Sequence, residues 1–267
     1  MRAIASKLGD DLDKLDEDDI VRSIYSLGKF HFRDDRGRCL GLLSGQARRH
    51  IWNYSVDDCA QMIASLSRAQ AKNPGFVSRL VDRVCADSMK GASYESLVNL
   101  MTGLARFGVK DSKKKQIWSI LADEVSKRLE QGHQSSNSDI LNALIAYSYP
   151  NVNRAHERLF KEASKRLRSQ DSFLTPQETM KYLRACARVE FRDIESLVYV
   201  GTCLRRMNVV KSLSKEDLLV IYTALNKLGA EMAELTEELK ARGMEVPGVK
   251  GVTWFRSGTS VHNSRNS

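Results

Sequence analysis

Five bases and one aromatic recur along this chain at nearly even spacing: Lys29, Arg68, Arg106, Tyr149, Arg188 and Lys227 follow one another at 39, 38, 43, 39 and 39 residues. Seven residues before each stands Arg22, Gln61, Asn99, Asn142, Lys181 or Val220, mostly a hydrogen-bonding type. Cations hold phosphate oxygens, carboxamides bond to base edges and tyrosine stacks on base faces, so the set suits a single-stranded nucleic acid. Seven residues make about two helical turns, which puts both columns on one helix face, with Arg184 in an adjacent row. A scattered lysine is ordinary solvated surface, whereas a column repeated once per unit has to line up in space. With one nucleotide per unit, six units address about six nucleotides.

Other chemistry is poorly served. The chain has 267 residues, with 42 Lys+Arg against 33 Asp+Glu, a net charge of +9. It contains no C-x-x-C, no H-E-x-x-H, no glycine-rich phosphate loop and no G-x-S-x-G elbow, so it carries no usual metal, nucleotide or hydrolase signature. Neither cofactor, metal nor catalytic residue is expected. The five cysteines, Cys39, Cys59, Cys85, Cys186 and Cys203, are irregularly spaced and read as reduced, buried thiols. His31, His50, His133, His156 and His262 share no ligand spacing and read as surface or loop residues. Trp52 and Trp118 read as packing residues. A run of eighteen apolar residues is absent from the sequence, which argues against a membrane-spanning helix. A second basic set, Lys113, Lys114, Lys115, Lys127, Arg128, Arg158, Lys161, Lys165, Arg166 and Arg168, is denser, and ranks second because charge on outer helices commonly serves solubility or protein contacts.

The elements that position the columns follow from the same period. With Ile20, Cys59, Leu97, Ile140, Thr179 and Leu218 as anchors, four residues earlier stand Asp16, Ser55, Ser93, Ser136, Thr175 and Ser214, all good helix N-caps. Three residues after the cap comes a carboxylate in five of six units, the spacing of a capping box. Pro176 fits a first helical position. Four residues past the anchors stand Ile24, Ile63, Met101, Leu144, Leu183 and Tyr222; seven past stand Leu27, Leu66, Leu104, Tyr147, Cys186 and Leu225. This is helical spacing. Six past the anchors runs a small-residue column, Ser26, Ser65, Gly103, Ala146, Ala185 and Ala224, which lets neighbouring backbones approach. Gly108, Gly229 and Asn151 fall where a C-terminal cap is wanted.

A second amphipathic segment follows in each unit: residues 36–50, 74–89, 112–131, 153–168, 193–207 and 231–244. Ile117, Ile120, Leu121, Val125 and Leu129 form the expected inner stripe of the third, and Leu159, Phe160, Ala163 and Leu167 that of the fourth. The abundance of Leu, Ala, Lys, Arg and Glu with only 4 prolines makes the chain all-α, and its units helical hairpins. A hairpin cannot bury both faces alone, so about six are expected to stack as an α-solenoid over residues 15–245. Residues 1–14, where Ile4, Leu8 and Leu12 recur, read as the remnant second helix of a preceding unit, covered by a partner or continued by missing sequence. Residues 246–267 read as a flexible tail in which Trp254 docks.

Two units carry a resemblance. Ser214-Lys215-Glu216-Asp217-Leu218 with Ala224-Leu225-Asn226-Lys227-Leu228-Gly229, and Ser93-Tyr94-Glu95-Ser96-Leu97 with Gly103-Leu104-Ala105-Arg106-Phe107-Gly108, resemble the repeats of organellar RNA-binding solenoids. These are the octotricopeptide and heptatricopeptide repeat proteins and their RAP-domain relatives. Armadillo and HEAT scaffolds share such hairpins. The resemblance implies a mitochondrial, non-enzymatic protein that binds single-stranded RNA in RNA processing, editing, stability or translation, with other ribonucleoprotein subunits as partners. The alternative is a structural scaffold subunit of a mitochondrial ribonucleoprotein such as a ribosome or RNA-editing complex. Asp10, Asp11, Asp13 and Asp16 give the N-terminus more acid than a transit peptide carries.

Overall fold

A computed structural model describes residues 11–32, 38–71, 73–87, 89, 91–110, 116–152, 156–170, 172–206, 209–244 and the backbone of 252–255. Lys113, Lys114, Lys115, His262, the side chain of Trp254 and residues 1–10 lie outside the described residues. The chain divides into two compact units, Met1–Glu162 and Ala163–Ser267.

The first unit contains α1 (Glu17–Lys29), α2 (Arg38–Arg49), α3 (Val56–Arg68), α4 (Pro74–Ala86), α5 (Tyr94–Phe107), α6 (Ile117–Glu130), α7 (Asn137–Tyr147) and the start of α8 (Glu157–Arg168). The second contains the rest of α8, then α9 (Pro176–Val189), α10 (Ile194–Arg206), α11 (Val209–Ser212), α12 (Lys215–Lys227) and α13 (Ala233–Ala241). Among the described residues the fold is all-α apart from one parallel pair, β1 (Ala230–Met232) beside β2 (Val252–Phe255), the latter inside the stretch expected as a tail.

Each expected first helix forms, and each starts where its cap is. The side chains of Asp16, Ser55, Ser93, Ser136, Thr175 and Ser214 all accept from the backbone N–H three residues on. Ser55 with Asp58, and Thr175 with Glu178, complete reciprocal capping boxes. Each cap stabilises its helix by about 1 kcal/mol. Tyr54, Leu174 and Leu213, just before three of the caps, are buried.

The anchors and the residues four and seven past them are buried in all six helices. Each such Leu or Ile withdrawn from water stabilises by about 1.5–3 kcal/mol. In the first unit α1 packs on α3, α3 on α5 and α5 on α7, while α2, α4 and α6 pack against α1, α3 and α5 respectively, and α2 meets α4. In the second unit α9 packs on α12, with α10 against α9 and α13 against α12.

Small residues set the helix spacing. A Cβ on Gly103 would lie 2.7 Å from Cγ2 of Ile63 and 3.1 Å from the Ala64 nitrogen; one on Gly28 would lie 2.6 Å from Cα of Ser65. Ser65, Gly103, Ala146, Ala185 and Ala224 of the small-residue column are buried, whereas Ser26 is exposed and Gly28 makes the close approach in its place.

Three expectations need correction. Ile120 is exposed, and its neighbour Trp118 occupies the inner stripe instead, its Nε1 donating to the Val109 carbonyl at 2.9 Å. Tyr147 donates to the Trp118 carbonyl and meets its ring edge-on at 5.2 Å, which fixes that choice. Trp52 is 63% exposed, with the Arg83 guanidinium over its ring at 5.9 Å. Asn151 caps nothing, because α7 closes at Ser148. Gly108 and Gly229 do end their helices in the left-handed conformation, and residues other than glycine share it. Eleven residues past the anchor, Gly108 and Gly229 have φ of 68° and 69°, and His31, Gln70 and Glu190 adopt 49°, 55° and 58° at the same position.

Candidate nucleic-acid interface

At about 100° per residue, the anchor and the residues four and seven past it cluster within about 60° of arc. Positions two and nine past the anchor then fall about 200° and 180° away, directly opposite the core. The twelve candidate residues accordingly lie clear of it. Arg22, Lys29, Arg106, Arg184, Arg188 and Lys227 are exposed, and Gln61, Arg68, Asn99, Asn142, Tyr149 and Lys181 are half-buried.

α1 carries Arg22 and, at its last residue, Lys29, whose Nζ lies 5.9 Å over the Tyr25 ring. α3 carries Gln61 and ends on Arg68; α5 carries Asn99 and Arg106; α7 carries Asn142, with Tyr149 two residues past its end. In the second unit α9 carries Lys181, Arg184 and Arg188, and α12 ends on Lys227. Val220, half-buried on α12, interrupts the hydrogen-bonding column.

One contact joins the two columns across neighbouring helices: Nη2 of Arg68 donates to Oδ1 of Asn99 at 3.5 Å. Of the eight cations in the columns, two have a carboxylate within 4 Å among the described residues. Arg22 lies 3.9 Å from Asp18 and Lys227 3.6 Å from Glu190. Lys29, Arg68, Arg106, Lys181, Arg184 and Arg188 face solvent without one.

The second-helix set is different. Arg158 on α8 grips Glu130 on α6 through two bonds of 2.9 and 2.8 Å, which raises the Arg158 pKa further. Arg168 binds Asp193 at 2.6 Å and Glu195 at 2.7 Å, at the start of α10. Arg205 on α10 binds Glu234 on α13 at 2.8 Å. Arg128 bonds to Glu124 at 2.7 Å and also donates to the Ala92 carbonyl. These arginines tie one second helix to the next or to a loop, a role the sequence reading missed; opposite charges recurring 25–29 residues apart are its signal.

No three His, Cys, Asp or Glu among the described residues are grouped to hold a metal ion, and no helix among them is long and apolar enough to cross a membrane. Burial pushes the Cys59 and Cys186 thiols up to about 12, away from nucleophilic thiolate. His50 lies 3.5 Å from Glu17 and His156 3.5 Å from Asp123, neither beside a nucleophile. Compared with protein-family models and with curated proteins, the chain matches none.

Proposed function

We propose that the protein is an α-solenoid that binds single-stranded RNA along the outward face of its first helices. One observation carries this reading: six cations of the repeated columns face solvent without a carboxylate among the described residues, while Arg128, Arg158, Arg168 and Arg205 of the outer helices are held in ion pairs. The first face therefore offers charge to phosphates once per repeat, and the second holds part of its charge in closed pairs. Cations at the ends of α1, α3 and α12 also sit well against the negative end of the helix dipole. That role needs neither register between repeats nor the accompanying carboxamides. Packing of successive first helices in the first unit supports the solenoid. The likeness of the repeats to those of organellar RNA-binding solenoids supports a mitochondrial setting, in RNA processing, editing, stability or translation. A scaffold role within a ribonucleoprotein is favoured by Phe30 and Trp52, large apolar side chains left mostly exposed.

The test is salt-dependent binding of single-stranded RNA to the full chain. For a single strand, the slope of log K against log salt is about −0.7 per phosphate neutralised, so eight column cations give at most about −5.6. Reversing Arg106 and Arg188 to Glu lowers the slope by at least about 1.4 and weakens binding to every sequence. Reversing Lys161 and Lys165, exposed on α8, leaves the slope nearly unchanged. An equal response to both pairs of reversals, or no salt-dependent binding at all, overturns the reading.

A further inference from the structure

The Arg68–Asn99 contact says what kind of base the face would select. A guanidinium has donors and no acceptor, so the Asn99 carboxamide must turn its oxygen to Arg68. Its Nδ2, with two N–H groups, is then directed away from Arg68. The guanidinium keeps its further N–H donors beside this contact. The free edge of the pair is thus donor beside donor, at a half-buried position on the face opposite the core.

We infer that this cation–carboxamide pair reads a base edge carrying two adjacent acceptors, and so favours guanine or cytosine over adenine and uracil. Guanine presents N7 beside O6, and cytosine N3 beside O2. Adenine sets its N6 donor beside N1 and N7, and uracil sets an N–H between its two carbonyls. The inference rests on the RNA-binding reading above.

The geometry extends beyond one pair. Gly28 on α1 abuts Ser65 on α3, and Gly103 on α5 abuts Ile63 and Ala64 on α3, so consecutive first helices of this unit lie flank to flank. The flank of the preceding helix lies nearer its position nine past the anchor, and that of the following helix nearer its position two. The residues at those two positions are Lys29 with Gln61 for α1 and α3, Arg68 with Asn99 for α3 and α5, and Arg106 with Asn142 for α5 and α7. A cation precedes a carboxamide each time. In the second unit the corresponding couple on α9 and α12 is Arg188 with Val220, and the amide is missing. Selectivity therefore belongs to three consecutive positions served by the first unit, and the second unit supplies charge.

The experiment compares nine-nucleotide RNAs, by fluorescence anisotropy with the full chain. They are all-uridine, all-adenosine, and uridine with three central cytidines, three central guanosines or three central 7-deazaguanosines. Lithium buffer keeps guanine runs single-stranded. The cytidine or guanosine RNA is expected to bind at least about tenfold tighter than all-uridine. Loss of the guanosine advantage on 7-deaza substitution assigns the N7/O6 edge; an advantage for cytidine assigns N3/O2. Asn99→Ala brings the ratio to uridine down severalfold. Arg68→Lys, which keeps the charge and loses the fork, lowers the ratio while holding the salt slope. Circular dichroism checks that both variants fold. Equal affinity for all five RNAs, or a preference for uridine or adenosine, with a normal salt slope, overturns the base selectivity and leaves the RNA reading standing. Absence of any salt-dependent binding overturns both.

Discussion

Replacing Gly28 by alanine tests the close approach of α1 to α3, the seam next to the one where Arg68 meets Asn99. The added Cβ would lie 2.6 Å from Cα, Cβ and the carbonyl oxygen of Ser65. Two of these are backbone atoms of a neighbouring helix and cannot rotate away. Carbon atoms rest comfortably at about 3.5–4.0 Å, so the two helices have to part by about 1 Å. Overpacking of this kind costs about 1–3 kcal/mol. Against it stands about 0.5–1 kcal/mol gained because alanine forms helix better than glycine. The net effect is a loss of about 1–2 kcal/mol. The same substitution at Gly45, inside α2, places its Cβ with nothing within 4 Å, so only the propensity gain remains. One chemical change thus has opposite signs at two sites. Urea unfolding followed by helical circular dichroism reads both: the midpoint falls for Gly28→Ala and rises for Gly45→Ala at unchanged slope. A Gly28→Ala midpoint at or above that of the parent protein would refute the packing of α1 on α3.

Other consequences can be read in the same unfolding assay. Thr179 is the one polar anchor apart from Cys59; it is fully buried, and its Oγ1 has no hydrogen-bond partner among the described residues. Thr179→Val keeps the shape, removes that hydroxyl and is expected to stabilise by about 1 kcal/mol, whereas an unchanged or lowered midpoint would mean the hydroxyl is satisfied. Thr175→Ala removes the bond that Oγ1 accepts from the Glu178 N–H and the one it donates to the Glu178 carboxylate, leaves the Thr175 backbone N–H on that carboxylate, and is expected to destabilise by about 1–2 kcal/mol, with Thr175→Ser nearly neutral. Alkali should unfold the protein: Cys59 and Cys186 have ordinary values of 9.0 and are pushed by burial to about 12. Above pH about 9 the unfolded chain loses these protons and the folded one keeps them. The stabilisation, complete below that pH, therefore drops by about 1.4 kcal/mol per pH unit per thiol and is lost as pH passes 12. Urea midpoints that stay flat from pH 8 to pH 11 would contradict this.

Caps and anchors were legible in the sequence because their physics is local. An N-cap needs only a side-chain oxygen and the N–H three residues on, and all six such pairs are present. The anchor columns needed only the helical period. What depends on partners far along the chain was not legible. Periodicity marked Ile120 as inward, yet the Val109 carbonyl and the Tyr147 hydroxyl, nine and 29 residues from Trp118, settle the matter for Trp118. The left-handed caps fall between these cases. Gly108 and Gly229 advertise them, and His31, Gln70 and Glu190 take the same conformation without glycine's freedom, at an expense of about 1–2 kcal/mol that the helix packing must overcome.

The candidate interface follows the same division. That positions two and nine past each anchor face away from the core is arithmetic on the helical period, and no solved contact was needed to see it. Which residue of one helix meets which of the next cannot be obtained that way, because it depends on how closely and on which flank the helices lie. Between α3 and α5 Gly103 sets that distance, and there Nη2 of Arg68 reaches Asn99. In a column that the sequence presents as five separate cations and a tyrosine, one cation, Arg68, thus leans on the following helix's carboxamide. On the proposed RNA-binding reading, the unit of recognition is the seam between two hairpins. If so, replacing the carboxamide affects base choice at the seam it shares with the preceding helix, and lengthening a single repeat by one residue disrupts two seams at once.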